Sequence, residues 1–181
     1  MKSIISVAVL ICLFEVSFLP LTQCRVYLPT DANLIGQTCL QTPKPDLCVS
    51  SLESVPESSD TDIKGLALIM SDKVLKGKAQ DALKEINELI KQTPISSNKA
   101  LLACADYYGT IIEFHIEKQA HDGITGNQPR KAAQQAMDDT VYLVNECNNG
   151  LGSSPSSPLT VMGASVADIA TITKAIVQIL S

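Results

Sequence analysis

Along most of this chain apolar residues return every three or four positions, and clusters of Pro, Gly, Ser and Asp interrupt them at a few places. The fullest instance is Leu101 to His121. Leu101, Cys104, Ala105, Tyr108, Ile111, Ile112 and His115 fall at the i, i+3, i+4, i+7 spacing of one buried helical stripe. Asn98 stands where its side chain would cap the first turn. Cys104 lies inside the stripe, so its thiol should face other helices. Upstream, a long helix is expected from Asp60 to about Lys91, with Asp60 and Asp62 in the first turn complementing its dipole. Its stripe runs Ile63, Leu66, Ala67, Met70, Val74, then Ala79, Leu83, Ile86 and Ile90, and Gly77 marks a bend. After the turn formers Asp122 to Pro129, a helix over Arg130 to Asn148 carries Ala133, Ala136, Met137, Thr140, Val144 and Cys147 on one face. The Ser-Pro-rich run Gly152 to Pro158 stops it. A last stripe follows: Leu159, Met162, Val166, Ile169, Thr173, Ile176, Val177 and Leu180. No strand pattern of comparable length and no fixed repeat interrupts these segments. Four amphipathic helices joined by short breaks predict an all-α, antiparallel up-and-down four-helix bundle.

The N-terminal part differs. Lys2 followed by the apolar run Ile4 to Phe14, with Thr22 and Cys24 as small residues before Arg25, predicts a secretory signal peptide over 1–24. Glu15 and Pro20 break the run too early for the ~18 to 20 apolar residues of a membrane span. The working domain is then 25–181, divided into an N-terminal hairpin at 25–56 and the bundle at 60–181. In the hairpin, Ala32 to Leu40 is expected as a short helix capped by Asp31. Pro43 and Pro45 end it, and Pro45 suits the first position of a second short helix carrying Cys48, Val49 and Leu52. Pro56 to Ser59 is read as a loop.

Sulfur ties these pieces together. Beyond residue 24 the cysteines are Cys39, Cys48, Cys104 and Cys147, an even set that reads as a disulfide framework in a secreted chain. Zinc would want close C-x-x-C pairs, which this spacing does not supply. Two short helices with a kink between them bring Cys39 near Cys48, the local choice among three pairings. That bridge would constrain the unfolded chain by ~2.7 kcal/mol. Antiparallel neighbours would also join the start of the Cys104 helix to the end of the Cys147 helix, closing a longer loop for ~4 kcal/mol.

Charge narrows the function. A net charge of −5 and no Trp argue against nucleic acid, since no basic stripe exists to displace counterions from phosphates. No catalytic constellation emerges. Gly163-Ala164-Ser165 lies in a helical pattern and not at a strand-to-helix turn. His115 and His121 fall on different helix faces, Glu113/Glu117 and Asp138-Asp139 read as solvated charges, and no phosphate-cradling loop or cofactor motif is present. A secreted, disulfide-tied helical protein of this kind is a binder, not an enzyme, and Pro129-Arg130-Lys131 is a candidate contact.

The chain resembles the plant invertase and pectin methylesterase inhibitor family over nearly all of its length after residue 24. The resemblance rests on Leu34-Ile35 ahead of Cys39, Thr42-Pro43, Cys48 with Leu52, and LLACADYYGTII around Cys104. It continues through Asn145-Glu146-Cys147 and the closing SPLTVMGASVADIATITKAIVQIL. It implies a four-helix bundle with an N-terminal helical hairpin, bridged first-to-second and third-to-fourth cysteine. Pectin methylesterase inhibitors commonly carry Asp-Cys-x-Glu-x-Tyr at the third cysteine and Trp-Leu-Ser-Ala-Ala before the fourth. Here Ala103-Cys104-Ala105-Asp106 stands at the first place. The Cys-Ala-x-x-Tyr start and the Ser-Pro opening of the last helix are more similar to the invertase-inhibitor branch. That branch can present a Pro-Lys-Phe run to its target, and Pro129-Arg130-Lys131 stands in the matching neighbourhood without the Phe. The resemblance therefore implies an inhibitor of a plant acid invertase (a β-fructofuranosidase), blocking the cleft non-covalently at acidic pH, where some inhibitor carboxylates lose charge and ordinary histidines gain it. It implies a monomer without cofactor, located in the apoplast and cell wall or in the vacuole. The alternatives are a pectin methylesterase inhibitor and, from another class, a helical carrier of an apolar ligand.

Overall fold

The computed structural model describes residues 30–94, 98–152 and 157–180. The expected leader over 1–24 lies outside the described residues. Regular structure among those described is helical throughout. Two short helices, α1 (Thr30–Cys39) and α2 (Pro45–Glu53), lead through a 3₁₀ turn (Pro56–Asp60) into four long ones. Helix α3 runs as Ile63–Leu68, a π-helical stretch Ile69–Leu75, and Lys76–Gln92. Helix α4 runs as Lys99–Thr110, a π-helical stretch Ile111–Ala120, and His121–Thr125. Helices α5 (Arg130–Gly150) and α6 (Pro158–Ile179) complete the chain. Neighbours in sequence are neighbours in space, and α3 also packs on α6, which closes an antiparallel four-helix bundle.

The hairpin is held to itself by sulfur and to the bundle by packing. Cys39 is joined to Cys48 with their Cα atoms 5.5 Å apart, and Thr42 Oγ1 donates to the Cys39 carbonyl at 2.7 Å. Pro45 opens α2, where its missing N–H is no loss. Ile35 and Leu52 are buried against α3 and α6. Lys44 Nζ reaches Asp168 Oδ2 of α6 at 2.6 Å, an exposed pair whose contribution is small beside that burial. At the far end of the α4–α5 pair, Cys104 is joined to Cys147 with Cα atoms 4.8 Å apart.

Several helix ends and one register differ from the sequence reading. Helix α1 already begins at Thr30, so Asp31 lies in its first turn and does not precede it. The segment read as a loop at Pro56 to Ser59, together with Asp60, forms the 3₁₀ turn, and α3 begins only at Ile63. Its cap is Asp62, whose Oδ1 accepts from the Gly65 N–H at 2.8 Å. Asn98 precedes α4 but its side chain makes no capping bond. Helix α4 does not stop at Asp122 but continues to Thr125.

The largest difference is in winding. Gly77, where a bend is expected, lies within the regular stretch Lys76–Gln92. The irregularity is one turn earlier, at Ile69–Leu75. Buried Ala67, Ser71, Leu75 and Ala79 recur every fourth residue, so Leu75 and not Val74 fills the core. In α4 the buried positions Tyr108, Ile112, Ile116, Ala120 and Ile124 recur every fourth residue. In a regular α-helix each such step drifts by about 40°. Wider π turns in Ile111–Ala120 absorb the drift and keep one face inward.

Among the described residues no Asp, Glu, Lys or Arg side chain is buried in the core. It is built from Leu, Ile, Val, Met and Ala, with Tyr108 the largest residue fully inside. Thr140 and Thr173 are buried as well, each donating its hydroxyl to the carbonyl four residues back, at 2.8 and 2.7 Å. Helix α6 is long and apolar enough to cross a membrane, yet half of that stretch is buried within the bundle, so its apolarity belongs to the core.

Burial pushes the Tyr108 phenol up to about 12. Tyrosine in the unfolded chain ionises from about pH 10, so the neutral buried ring contributes stability fully below that pH and loses it as pH rises toward 12. Urea midpoints of the native protein should therefore fall more steeply between pH 10 and 12 than those of Tyr108→Phe. Parallel curves for the two proteins would remove Tyr108 as a source of alkaline instability.

Candidate partner interface

The three residues singled out as a contact, Pro129, Arg130 and Lys131, stand together and exposed where α4 hands over to α5. Their position is fixed by the chain on both sides. Thr125 Oγ1 donates to the His121 carbonyl at 2.8 Å. Gly126 takes a left-handed conformation at φ 99°, which stops α4, and the N–H groups of Gly126 and Gln128 both donate to the Asp122 carbonyl at 3.1 and 3.0 Å. Asn127 Nδ2 reaches Asp122 Oδ1 at 3.3 Å. Pro129 then sets the entry to α5, and its carbonyl accepts from Ala132 at 2.7 Å. Gly123 meets α5 so closely that a Cβ there would lie 2.8 Å from that of Ala133. Lys64, at the start of α3, donates to the Thr125 carbonyl at 2.8 Å. The corner is braced from three helices.

Its electrostatics run against the rest of the molecule. Arg130 and Lys131 occupy the first turn of α5, where the helix dipole disfavours cations, and no side chain caps that end. Among the described residues neither has an ion-pair partner, as is also true of Lys78, Lys99 and Lys118, whereas Lys44, Lys73, Lys76, Lys91 and Lys174 are paired with carboxylates. Uncapped N–H groups and two unpaired cations at one corner suit an incoming carboxylate. In a protein of net charge −5 this is a local reversal of sign.

The other residues weighed for chemistry lie elsewhere. His115 is buried, with Nδ1 3.0 Å from Gln119 Oε1 and 3.9 Å from Asp139 Oδ2. His121 Nδ1 lies 2.7 Å from Asp72 Oδ2 on α3, so the two histidines do face different neighbours. Glu117 pairs with Lys76 and Asp138 with Lys174, each at 2.7 Å. The two disulfides take up Cys39, Cys48, Cys104 and Cys147. Ser165 is inside α6. The sequence reading placed Asp62 in the first turn of α3 and not at its cap, and it missed Lys64, which ties the start of α3 to the end of α4. The legible signal for Asp62 was a carboxylate three residues ahead of the Gly65 N–H it caps.

A family model described as plant invertase/pectin methylesterase inhibitor matches residues 33–176. Over 147 residues, 81% of this chain and 69% of the relative, the sequence is 37% identical to "Cell wall / vacuolar inhibitor of fructosidase 1" of Arabidopsis thaliana. It is 32% identical to "Pectinesterase inhibitor" of Actinidia deliciosa over 95 residues, 52% of this chain and 50% of that one. Among solved structures, a mutant form of a pectin methylesterase inhibitor from Arabidopsis superposes with a TM-score of 0.66 at 17% identity. The match covers 81% of this chain and 97% of that one. A second Arabidopsis pectin methylesterase inhibitor gives 0.59 at 18% identity, covering 83% and 98%. These structures share the fold.

Gly126→Ala should lower stability by about 1 kcal/mol, because a Cβ is disfavoured at that left-handed position. A chemical-denaturation midpoint equal to that of the native protein would show that the corner tolerates other backbone conformations.

Proposed function

Because the chain belongs to the plant invertase/pectin methylesterase inhibitor family, we propose that it inhibits a plant acid invertase by binding non-covalently at the enzyme's active-site cleft under acidic conditions. The observation that carries the choice of target is the 37% identity to an inhibitor of fructosidase. The protein is an inhibitor and not an enzyme, as its named relatives are. It acts in the apoplast and cell wall or in the vacuole, as a monomer with no membrane association once residues 1–24 are removed, and 25–181 is its working domain.

Acid invertases are glycosidases with two carboxyl groups at the cleft. Arg130 and Lys131, stiffened by Pro129, meet those carboxylates and exclude sucrose. Such pairs contribute little in water and more where the cleft excludes it. Because the corner is already braced, little ordering opposes binding. The net negative charge of the rest of the inhibitor shrinks as pH falls through the carboxylate range, so repulsion from an acidic enzyme surface weakens in acid.

Pectin methylesterase is the second reading, favoured by the 32% identity to a pectinesterase inhibitor. There the bundle would block de-esterification of wall pectin with its helix faces. Recombinant protein assayed against each purified enzyme near ~pH 5 separates the two targets. With acid invertase as target, replacing Arg130 and Lys131 together by Ala should raise the inhibitory concentration by about tenfold to a hundredfold. Full potency in that variant would dismiss the corner as the contact.

A further inference from the structure

Beside the Pro129–Lys131 corner lies a groove of about 520 Å³, formed where the start of α3, the end of α4 and the end of α6 meet. Its volume falls within the ~300–1,000 Å³ of pockets that take up a ligand or a partner's side chains. Its apolar lining is aliphatic, made of Ile63, Ile124, Ile179 and Leu180. Ile124 is buried, and Ile63 and Leu180 are half-buried. Arg130 stands on the rim. The other charges around it are committed: Asp62 caps α3 through Gly65 at 2.8 Å, and Lys64 holds the Thr125 carbonyl at 2.8 Å. The uncommitted charge is therefore the Arg130 guanidinium, which stays protonated at any working pH.

We propose that this groove receives a segment of the target enzyme in which an apolar side chain stands next to a carboxylate. The side chain packs on Ile63, Ile124 and Leu180, and the carboxylate pairs with Arg130. This rests on the reading that the corner meets the enzyme. Groove and corner share Arg130, so an enzyme seated on one covers the mouth of the other. The contact is thus reciprocal: the inhibitor's cations enter the enzyme cleft while an apolar, acidic piece of the enzyme enters the inhibitor. Charge complementarity selects this occupant over a second copy of the chain. A two-fold interface would bring the same patch against itself, setting two Arg130 and two Lys64 cations against only two Asp62 carboxylates.

The test uses the complete secreted chain and purified acid invertase, with affinity measured by calorimetry at acid pH. Leu180→Glu, which puts a like charge in the path of the incoming carboxylate, should weaken binding by about tenfold or more. Val161→Glu, exposed at the opposite end of the same helix, should bind as the native protein does. Thermal unfolding of each variant guards against misfolding. Independently, a benzophenone side chain introduced at position 180 should cross-link to a segment of the enzyme holding an apolar residue beside Asp or Glu. Native affinity in Leu180→Glu with no cross-link, alongside weakened binding of the Arg130/Lys131 double variant, would overturn the groove and leave the corner standing. A native protein that binds neither invertase nor pectin methylesterase would overturn both. An inhibitor dimer that Leu180→Glu dissociates would assign the groove to a second copy instead.

Discussion

Helices α4 and α5 form a pair closed at both ends, and the rest of the molecule is arranged around that closure. At one end the Cys104–Cys147 bridge brings Cα atoms to 4.8 Å. At the other, the chain itself turns through Gly126, and Gly123 seats directly against Ala133. Loop entropy makes the bridge worth ~4 kcal/mol, a large share of the stability of an ordinary domain. The paired lysines on the surface contribute ~0 to 1 kcal/mol each. The geometry of the corner is fixed by that close seating of Gly123 and by hydrogen bonds to the Asp122 and Thr125 carbonyls, the latter from Lys64. The side chains of Arg130 and Lys131 form none of these bonds.

That division explains why so little of the surface needs special pleading. Lys76–Glu117 and Lys174–Asp138 lie across helix pairs, α3 to α4 and α6 to α5, and satisfy exposed charges without setting the packing. Arg130 and Lys131 have no such partner among the described residues, and they occupy a helix end that disfavours them. The proposed contact relies on that arrangement, with charge at the partner supplying the missing half.

The helical plan was legible because it depends on period, and period survives in any window of the chain. Ala133, Ala136, Met137, Thr140, Val144 and Cys147 were read as one face of α5 and are all buried. The helix starts were less legible because they turn on which of several competent polar groups wins. Asp60, Asp62 and Asn98 were all chemically able to act at a helix start, and only tertiary context chose Asp62. The π turns were hidden by the habit of reading apolar residues as i+3 or i+4. The unbroken fourfold spacings from Ala67 to Ala79 and from Tyr108 to Ile124 are their trace in the sequence. Of the site, Pro129-Arg130-Lys131 could be found by resemblance. The aliphatic groove beside it could not, since Ile63, Ile124 and Leu180 come from three distant parts of the chain and each reads locally as ordinary core.

The loosened turns in α3 and α4 also act as phase-setters. A π turn amounts to one extra residue spliced into a helix, and removing it would rotate everything downstream by about 100°. The stretch Ile111–Ala120 lies between the disulfide end of α4 and the corner, so it fixes the compass direction in which Arg130 and Lys131 are aimed. Within this architecture, a relative could be re-aimed at a different enzyme by a change of one residue in length, with every contacting side chain left as it was.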